Sequence, residues 1–264
     1  MTNTKAKIGI VGLGLIGGSI EKCLTNTCKY EILTVSASQG RQHKLEDLKD
    51  CDLVFLCGPQ GVIYKQLEEI ASLQAQPESE FFQNTIITDV GSTKQKICER
   101  AEELGLKNFV GGHPMAGTEE QGYDASFPEL FGGCTWVLTE QSARTRLLEE
   151  LIIIDLGAGN IEIIDPVTHD KAVAAISHVP LVLSIGLGNL LSEVPQAKKF
   201  IGPGFKGMAR LAKGNQTLGK EIITANRGNI KEVWKIYRNY VDSFLDIAGD
   251  NLIEEIEEVK TVLQ

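Results

Sequence analysis

The stretch that decides the fold is Lys7-Ile8-Gly9-Ile10-Val11-Gly12-Leu13-Gly14-Leu15-Ile16-Gly17-Gly18-Ser19. Its first five residues form an apolar, β-branched run bounded by glycine, which reads as a buried strand. Its glycines then follow G-x-G-x-x-G spacing and open a segment with helical apolar spacing over 15–25. A glycine string by itself is weak evidence in a chain with 27 glycines. A strand before it and a helix after it give each glycine work. Gly12 permits a tight turn, Gly14 lets the backbone approach a pyrophosphate, and Gly17 allows close helix–strand packing. The helix N-terminus, at Leu15 and Ile16, offers unpaired N–H groups and a positive dipole end to phosphate. The competing reading is a glycine-rich turn with no ligand.

Outward from this unit, apolar runs at 30–36, 52–57, 85–90 and 108–111 read as strands, and 62–72 and 92–104 as helices. Continuous apolar strands alternating with helices imply a parallel sheet covered on both faces. With right-handed crossovers the result is an α/β, doubly wound Rossmann-type domain. Residues 37–50 are polar and too few for a helix with two loops. Two more strands, 135–139 and 161–164, flank a helix at 143–156. The strand pattern stops at Asp165. Residues 172–191 are apolar almost all round, and from Ile230 apolar residues recur at helical spacing through Trp234, Tyr237, Val241, Phe244, Ala248 and Leu252 to Leu263. The expected organisation is a dinucleotide-binding domain over 1–165 and an all-helical domain over 166–264.

Composition narrows the function. The 264 residues carry 26 basic and 35 acidic side chains, a net charge of −9. That field argues against a general binder of nucleic acid or anionic membrane. The six cysteines form no C-x-x-C pair and no zinc-ligand spacing, so they read as reduced packing thiols of a cytoplasmic protein, with no metal site. Residues 172–191 approach the length of a membrane span, but His178, Pro180 and Asn189 inside them favour a helix of a folded domain.

The second strand should choose the cofactor. A site for NAD usually presents an acid there to the ribose 2′-hydroxyl. This chain reads Val35-Ser36-Ala37-Ser38-Gln39-Gly40-Arg41, with no acid before Glu46. Ser36 and Ser38 can donate to a 2′-phosphate and Arg41 can pair with it, which points to NADP. The third strand ends at Cys57-Gly58-Pro59, on the same rim.

In open α/β sheets ligands bind beyond the carboxyl ends of the strands. His113, within Gly111-Gly112-His113-Pro114-Met115-Ala116-Gly117-Thr118-Glu119, is placed there and is the best general-base candidate among four histidines. The strand end Asp89-Val90-Gly91-Ser92-Thr93-Lys94 points to the same rim. Ser92 there is a helix N-cap, a hydroxyl contact to substrate or His113, or both.

With GLGLIGGS (12–19), DVGSTK (89–94), GGHPMAGTEEQG (111–122), THDKAVAAISHVP (168–180) and GFKGMAR…GN (204–215), the chain resembles the prephenate/arogenate dehydrogenase family of tyrosine biosynthesis. The likeness runs through most of the chain. It implies that His113 accepts the proton of a ring hydroxyl while hydride leaves the same carbon, and that Ser92 assists. It implies substrate contacts at His178, Arg210, Lys206, Glu119, Gly117 and Thr118, and a homodimer through the helical domain. The likeness has departures. Lys206 and Gly207 stand where the family has arginine and an acid, so the charge stays but the bidentate fork is lost. The SHxP proline is followed by Leu181 rather than histidine. His169-Asp170 reads as a cap or start of the long helix, with a gating role as the alternative.

Arogenate and prephenate differ by an amino against a keto group. The polar loop without an acid, the missing second histidine and the lack of a mutase or regulatory extension resemble the compact arogenate enzymes that use NADP. Two alternatives remain. A β-hydroxyacid dehydrogenase-like reductase would use a lysine near Lys171, and a non-catalytic NADP sensor would leave His113 without a substrate.

Overall fold

A computed structural model describes residues 5–37, 39–76, 82–140, 142, 145–247 and 250–262. The first domain is built on a six-stranded sheet. Its strands are β1 (Lys7–Val11), β2 (Glu31–Ser36), β3 (Arg41–Gln42), β4 (Leu53–Leu56), β5 (Ile86–Asp89) and β6 (Phe109–Val110), in the order β3-β2-β1-β4-β5-β6. All neighbours are parallel except β3, which pairs antiparallel with β2 and brings Arg41 opposite Ser36. The polar stretch after β2 is thus a short hairpin, an edge that the sequence reading did not contain.

Helix α1 (Leu15–Thr27) covers one face of this sheet, and α2 (Gln60–Gln74) and α3 (Gln95–Glu103) cover the other. The alternation of side chains along a strand divides the core between the faces. Ile8, Ile10, Leu53 and Phe55 join α1, Phe131 and Trp136 on one side. Val11, Val54 and Leu56 join Ile63, Leu67 and Ile97 of α2 and α3 on the other.

The chain does not continue the first sheet beyond β6. At Gly111 it passes into a second, three-stranded sheet of β7 (Gly112–Pro114), β8 (Thr135–Leu138) and β9 (Asn160–Ile163). A Cβ on Gly112 would sit 2.5 Å from the backbone oxygen of Asp89 and 2.8 Å from Thr88 Oγ1, so only glycine lets β7 cross the end of β5 this closely. His113, expected on a loop, lies at the centre of β7. Between β8 and β9, α4 (Arg146–Glu150) runs on into a π-helical turn, Leu151–Asp155.

The rest is helical. α5 (Pro166–Val173) passes through a π-helical turn, Ala174–His178, into α6 (Val179–Glu193). Pro180 explains the turn. It has no N–H to give the preceding turn, and its ring crowds the carbonyl four residues back, so the helix widens there. α7 (Pro203–Met208), α8 (Gln216–Ala225), α9 (Arg227–Asp246) and α10 (Asp250–Val262) follow. The apolar periodicity from Ile230 therefore belongs to two helices that part at Ile247, whose backbone is extended; Ala248 and Leu263 lie outside the described residues. Among the described residues of this domain, Ala174, Val179 and Ile230 form one small buried apolar cluster.

Candidate active site

The glycine loop takes the geometry that its spacing implies. Gly12 has φ +97°, a conformation that favours glycine. A Cβ on Gly17 would lie 2.0 Å from the oxygen of Gly12, so the helix packs against the turn only because none is there. Gly14 faces open space with nothing within 4 Å of a built Cβ. No side chain caps α1 at Gly14, which leaves the first N–H groups of the helix open to an anion. A dinucleotide pyrophosphate fits this cradle.

Gly14, Leu15 and Ile16 share one cavity of about 330 Å³ with Cys57, Gly58, Pro59, Ser92, His113, Gly117 and Thr118. The strand-end residues singled out from sequence are thus brought together. The helical domain closes the cavity with Asn215, Thr217, Leu218, Glu221 and Ile222 at the start of α8. Among the described residues, the charged members of the wall are Glu120 and Glu221. Burial pushes the Cys57 thiol well above its ordinary range, so it is a packing thiol rather than a nucleophile.

Other candidates are placed elsewhere. Ser36 is buried at the end of β2, and of Arg41 only the backbone is described; Ser38 lies outside the described residues. Ser92 is not an N-cap. The helix begins later, at Gln95, and its first N–H groups are taken by Asp170, whose Oδ1 accepts from Lys94 N at 2.6 Å and Oδ2 from Gln95 N at 3.1 Å. The hydroxyl of Ser92 has no protein hydrogen-bond partner among the described residues and stands in the cavity wall.

His178 is buried outside that wall, with Nδ1 3.0 Å from Asn226 Nδ2. Burial lowers its pKa to about 4. Arg210 pairs with Glu119, tying the loop after β7 to the segment after α7, and this hydrogen bond holds the Glu119 carboxyl below its usual range. Neither Arg210, Glu119 nor Lys206 lines the cavity.

Two groups beneath the cavity were not read from the sequence. Lys94 and Asp89 form a fully buried ion pair. Lys94 also donates to Gly112 O at 2.6 Å, and Asp89 accepts from the N–H groups of Gly91 (2.8 Å) and Gly112 (3.1 Å). The pair clamps β7 to the end of β5 and so fixes His113. The only sequence signal was an acid and a lysine at either end of one strand-end hexapeptide.

The other is His169-Asp170, which does not cap α5. Asp165 does that, accepting from Val167 N and Thr168 N. His169 instead places Nε2 2.9 Å from His113 Nδ1, and its Nδ1 2.8 Å from Asp170 Oδ1. Burial, then the charge of Lys94, then the neighbouring His169 and His178, hold His113 well below the ordinary histidine pKa. His113 is therefore neutral near pH 7, as a base must be. Its Nδ1 is spent on His169, which leaves Nε2 for the cavity.

Comparison with known proteins fits this arrangement. The profile of the prephenate dehydrogenase nucleotide-binding domain matches residues 26–159, and that of the prephenate dehydrogenase dimerization domain matches residues 165–260. A prephenate dehydrogenase of Lactococcus lactis is 30% identical over 89% of this chain and 69% of its own. One from Bacillus subtilis is 27% identical over 100% of this chain and 72% of its own. Among solved structures, the arogenate dehydrogenase of Synechocystis superposes with TM-score 0.78 at 28% identity, covering 97% of this chain and 96% of that one. A prephenate dehydrogenase from A. aeolicus, in complex with hydroxyphenyl propionate and NAD+, gives 0.84 at 25% identity over 99% and 98%.

Proposed function

The chain belongs to the prephenate dehydrogenase family, and on that premise we propose that it converts L-arogenate to L-tyrosine and CO2 with NADP. It is a dehydrogenase of prephenate or arogenate that uses a nicotinamide dinucleotide. The observation that carries the proposal is the shared cavity, lined both by His113, whose Nδ1 is taken by His169, and by the open N-terminus of α1.

The oxidised nicotinamide supplies the acceptor for the hydride from ring C4. His113 takes the proton of the C4 hydroxyl. Ser92 offers its hydroxyl beside that oxygen. Gly12, Gly14, Leu15, Ile16 and Gly17 hold the pyrophosphate, and Cys57-Gly58-Pro59 floor the cofactor groove. Ser36, Ser38 and Arg41 are assigned to the adenosine 2′-phosphate, a reading supported by the absence of an acid before Glu46 in the sequence. Gly117 and Thr118 line the substrate side, and Lys206 and Arg210, which lie outside the wall with Arg210 paired to Glu119, are assigned to the substrate carboxylates. His178 is assigned no direct contact.

Arogenate is favoured over prephenate because the charged wall residues, Glu120 and Glu221, are acids that suit an ammonium group better than a keto acid. Initial rates with L-arogenate and prephenate, each in NADP+ and NAD+, test this. Fast turnover of arogenate with NADP+ is expected. Preference for prephenate overturns the substrate, preference for NAD+ overturns the loop argument, and no turnover with any pair overturns the activity.

The helical domain supports a homodimer. The helix over Pro166–Glu193 has mean hydropathy 1.6 in its most apolar stretch, yet only 28% of that stretch is buried. Its face and that of α9 expose Ile176, Leu190, Tyr240 and Leu245. The same helix is long and apolar enough to cross a membrane. However, it carries His169, Asp170 and His178, buried and bonded into the domain, so a second copy of the chain is the cover we propose.

A further inference from the structure

We propose that His169 and Asp170 are positioning residues that form a closed relay behind His113, selecting its tautomer and holding the proton it borrows during turnover. This rests on the reading of His113 as the base. The direction of the relay follows from its buried end. The Asp170 carboxylate accepts from three donors: Lys94 N at 2.6 Å, Gln95 N at 3.1 Å and His169 Nδ1 at 2.8 Å. With backbone N–H donors already on both of its oxygens, this carboxylate acts as an acceptor toward His169 as well. His169 Nδ1 therefore carries the hydrogen, and in a neutral ring its Nε2 is bare. His113 Nδ1, 2.9 Å away, has to donate to that nitrogen. His113 Nε2 is then the bare nitrogen, on the cavity side. The sequence-distant Asp170 thus dictates which nitrogen meets the substrate, the role of the third member in an acid–base triad.

The chemistry explains why the relay has no exit. In the oxidative decarboxylation the C4–H electron pair leaves as hydride to the nicotinamide. The pair of the C1–carboxylate bond enters the ring as CO2 departs. The hydroxyl proton, taken at C4 oxygen, is needed again on the phenol. No net proton is released, so the base has only to hold one and return it. As the substrate O–H bond breaks, Nε2–H forms on His113, and its Nδ1–H moves to Nε2 of His169. The positive charge then rests beside Asp170 rather than on His113, where burial and the charge of Lys94 disfavour it. The transfers reverse onto the phenolate oxygen. His169 is 1% exposed and Asp170 3%, so the held proton is shielded from water.

The test combines a spectroscopic and a kinetic reading. With ¹⁵N-labelled histidine, only four residues contribute. At pH 7.5 His113 is expected to be protonated on Nδ1 and bare on Nε2. Asp170→Asn keeps an amide oxygen toward Lys94 N and His169 Nδ1 but removes the carboxylate charge beside the held proton, so His113 should stay protonated on Nδ1. Its kcat should fall about 10²–10⁴-fold with cofactor Kd and substrate KM within about threefold. His169→Gln keeps an acceptor toward His113 and a donor toward Asp170 but cannot hold a proton. It should keep the His113 tautomer and lose about 10–100-fold in kcat.

A wild-type His113 protonated on Nε2, or kcat in Asp170→Asn within twofold of wild type, overturns the relay. Unchanged kcat in His169→Gln overturns its proton-holding part. If Asp170→Asn fails to fold, the wild-type spectrum and His169→Gln decide. Wild-type protein that turns over neither arogenate nor prephenate sinks the activity, while the spectrum still judges the relay.

Discussion

The sheet domain and the helical domain spend their apolar residues differently. In the first, both faces of the sheet are closed, and Phe55, Trp136, Leu56 and Ile63 are fully buried. In the second, the buried apolar cluster among the described residues has three members, while Phe200, Tyr240 and Leu245 lie more than half exposed. A closed core stabilises a fold by itself; an open one needs a cover. The cavity lies where the two meet, and His169 and Asp170 of the helical domain reach under the β7 strand of the sheet domain. If His113 is the base, as proposed, its placement depends on the rigidity of one region and the docking of the other.

The largest effect is expected at the joint. Lys94→Met leaves Asp89 buried without its counter-ion, and should destabilise the protein by about 3–5 kcal/mol in urea unfolding. A change under 1 kcal/mol would mean that the clamp between β5 and β7 does not depend on the ion pair.

The pH dependence comes next. His178 is held at about 4, against about 6.5 in an unfolded chain. Between those values the unfolded chain binds the extra proton, so stability rises with pH and flattens above 6.5. The contribution lost on acidification is about 3 kcal/mol, and His113, also lowered, adds in the same direction. Urea titrations from pH 7.5 to 4.5 should show this slope, and His178→Gln should lack part of it. Equal slopes in both proteins would contradict the assignment.

Dilution separates the two regions directly. Each contains one of the two tryptophans, Trp136 buried in the sheet domain and Trp234 on α9, 39% exposed in the single chain. If a second copy covers α9, a hundredfold dilution weakens the assembled unit by about 2.7 kcal/mol. Emission of Trp234 in a Trp136→Phe protein should shift red on dilution, while that of Trp136 in Trp234→Phe should not. Sedimentation as a monomer at micromolar concentration would break the comparison outright. The smallest effect belongs to the edge hairpin. Arg41→Ala should weaken NADP+ binding by about 1–2 kcal/mol and leave NAD+ binding unchanged. Equal losses for both cofactors would remove the 2′-phosphate from that edge.

These regions also differed in how legible they were. Strands such as β1 and β4 announce themselves because both faces are buried and the run is continuously apolar. The glycine loop is legible because each glycine answers a steric demand. Local chemistry also pointed to the cavity rim, since Cys57, Ser92 and His113 follow strand ends. The polar network was not legible. Asp89–Lys94 and His113–His169–Asp170 are bonds between distant segments, and no local pattern records them. His169-Asp170 looked like a helix cap because capping residues and relay residues are of the same types. The π turn at Pro180 and the crossing at Gly112 were hidden for a similar reason: each depends on what the backbone meets elsewhere.

The central claim is that His113 is the base of a dehydrogenase site assembled where the two domains meet. The most direct measurement pairs turnover with cofactor binding in His113→Asn. The account predicts that turnover of arogenate falls by about 10²–10⁴-fold or more while the NADP+ Kd, read by fluorescence titration, stays within about twofold of wild type. Turnover within tenfold of wild type, at full cofactor occupancy, would contradict it.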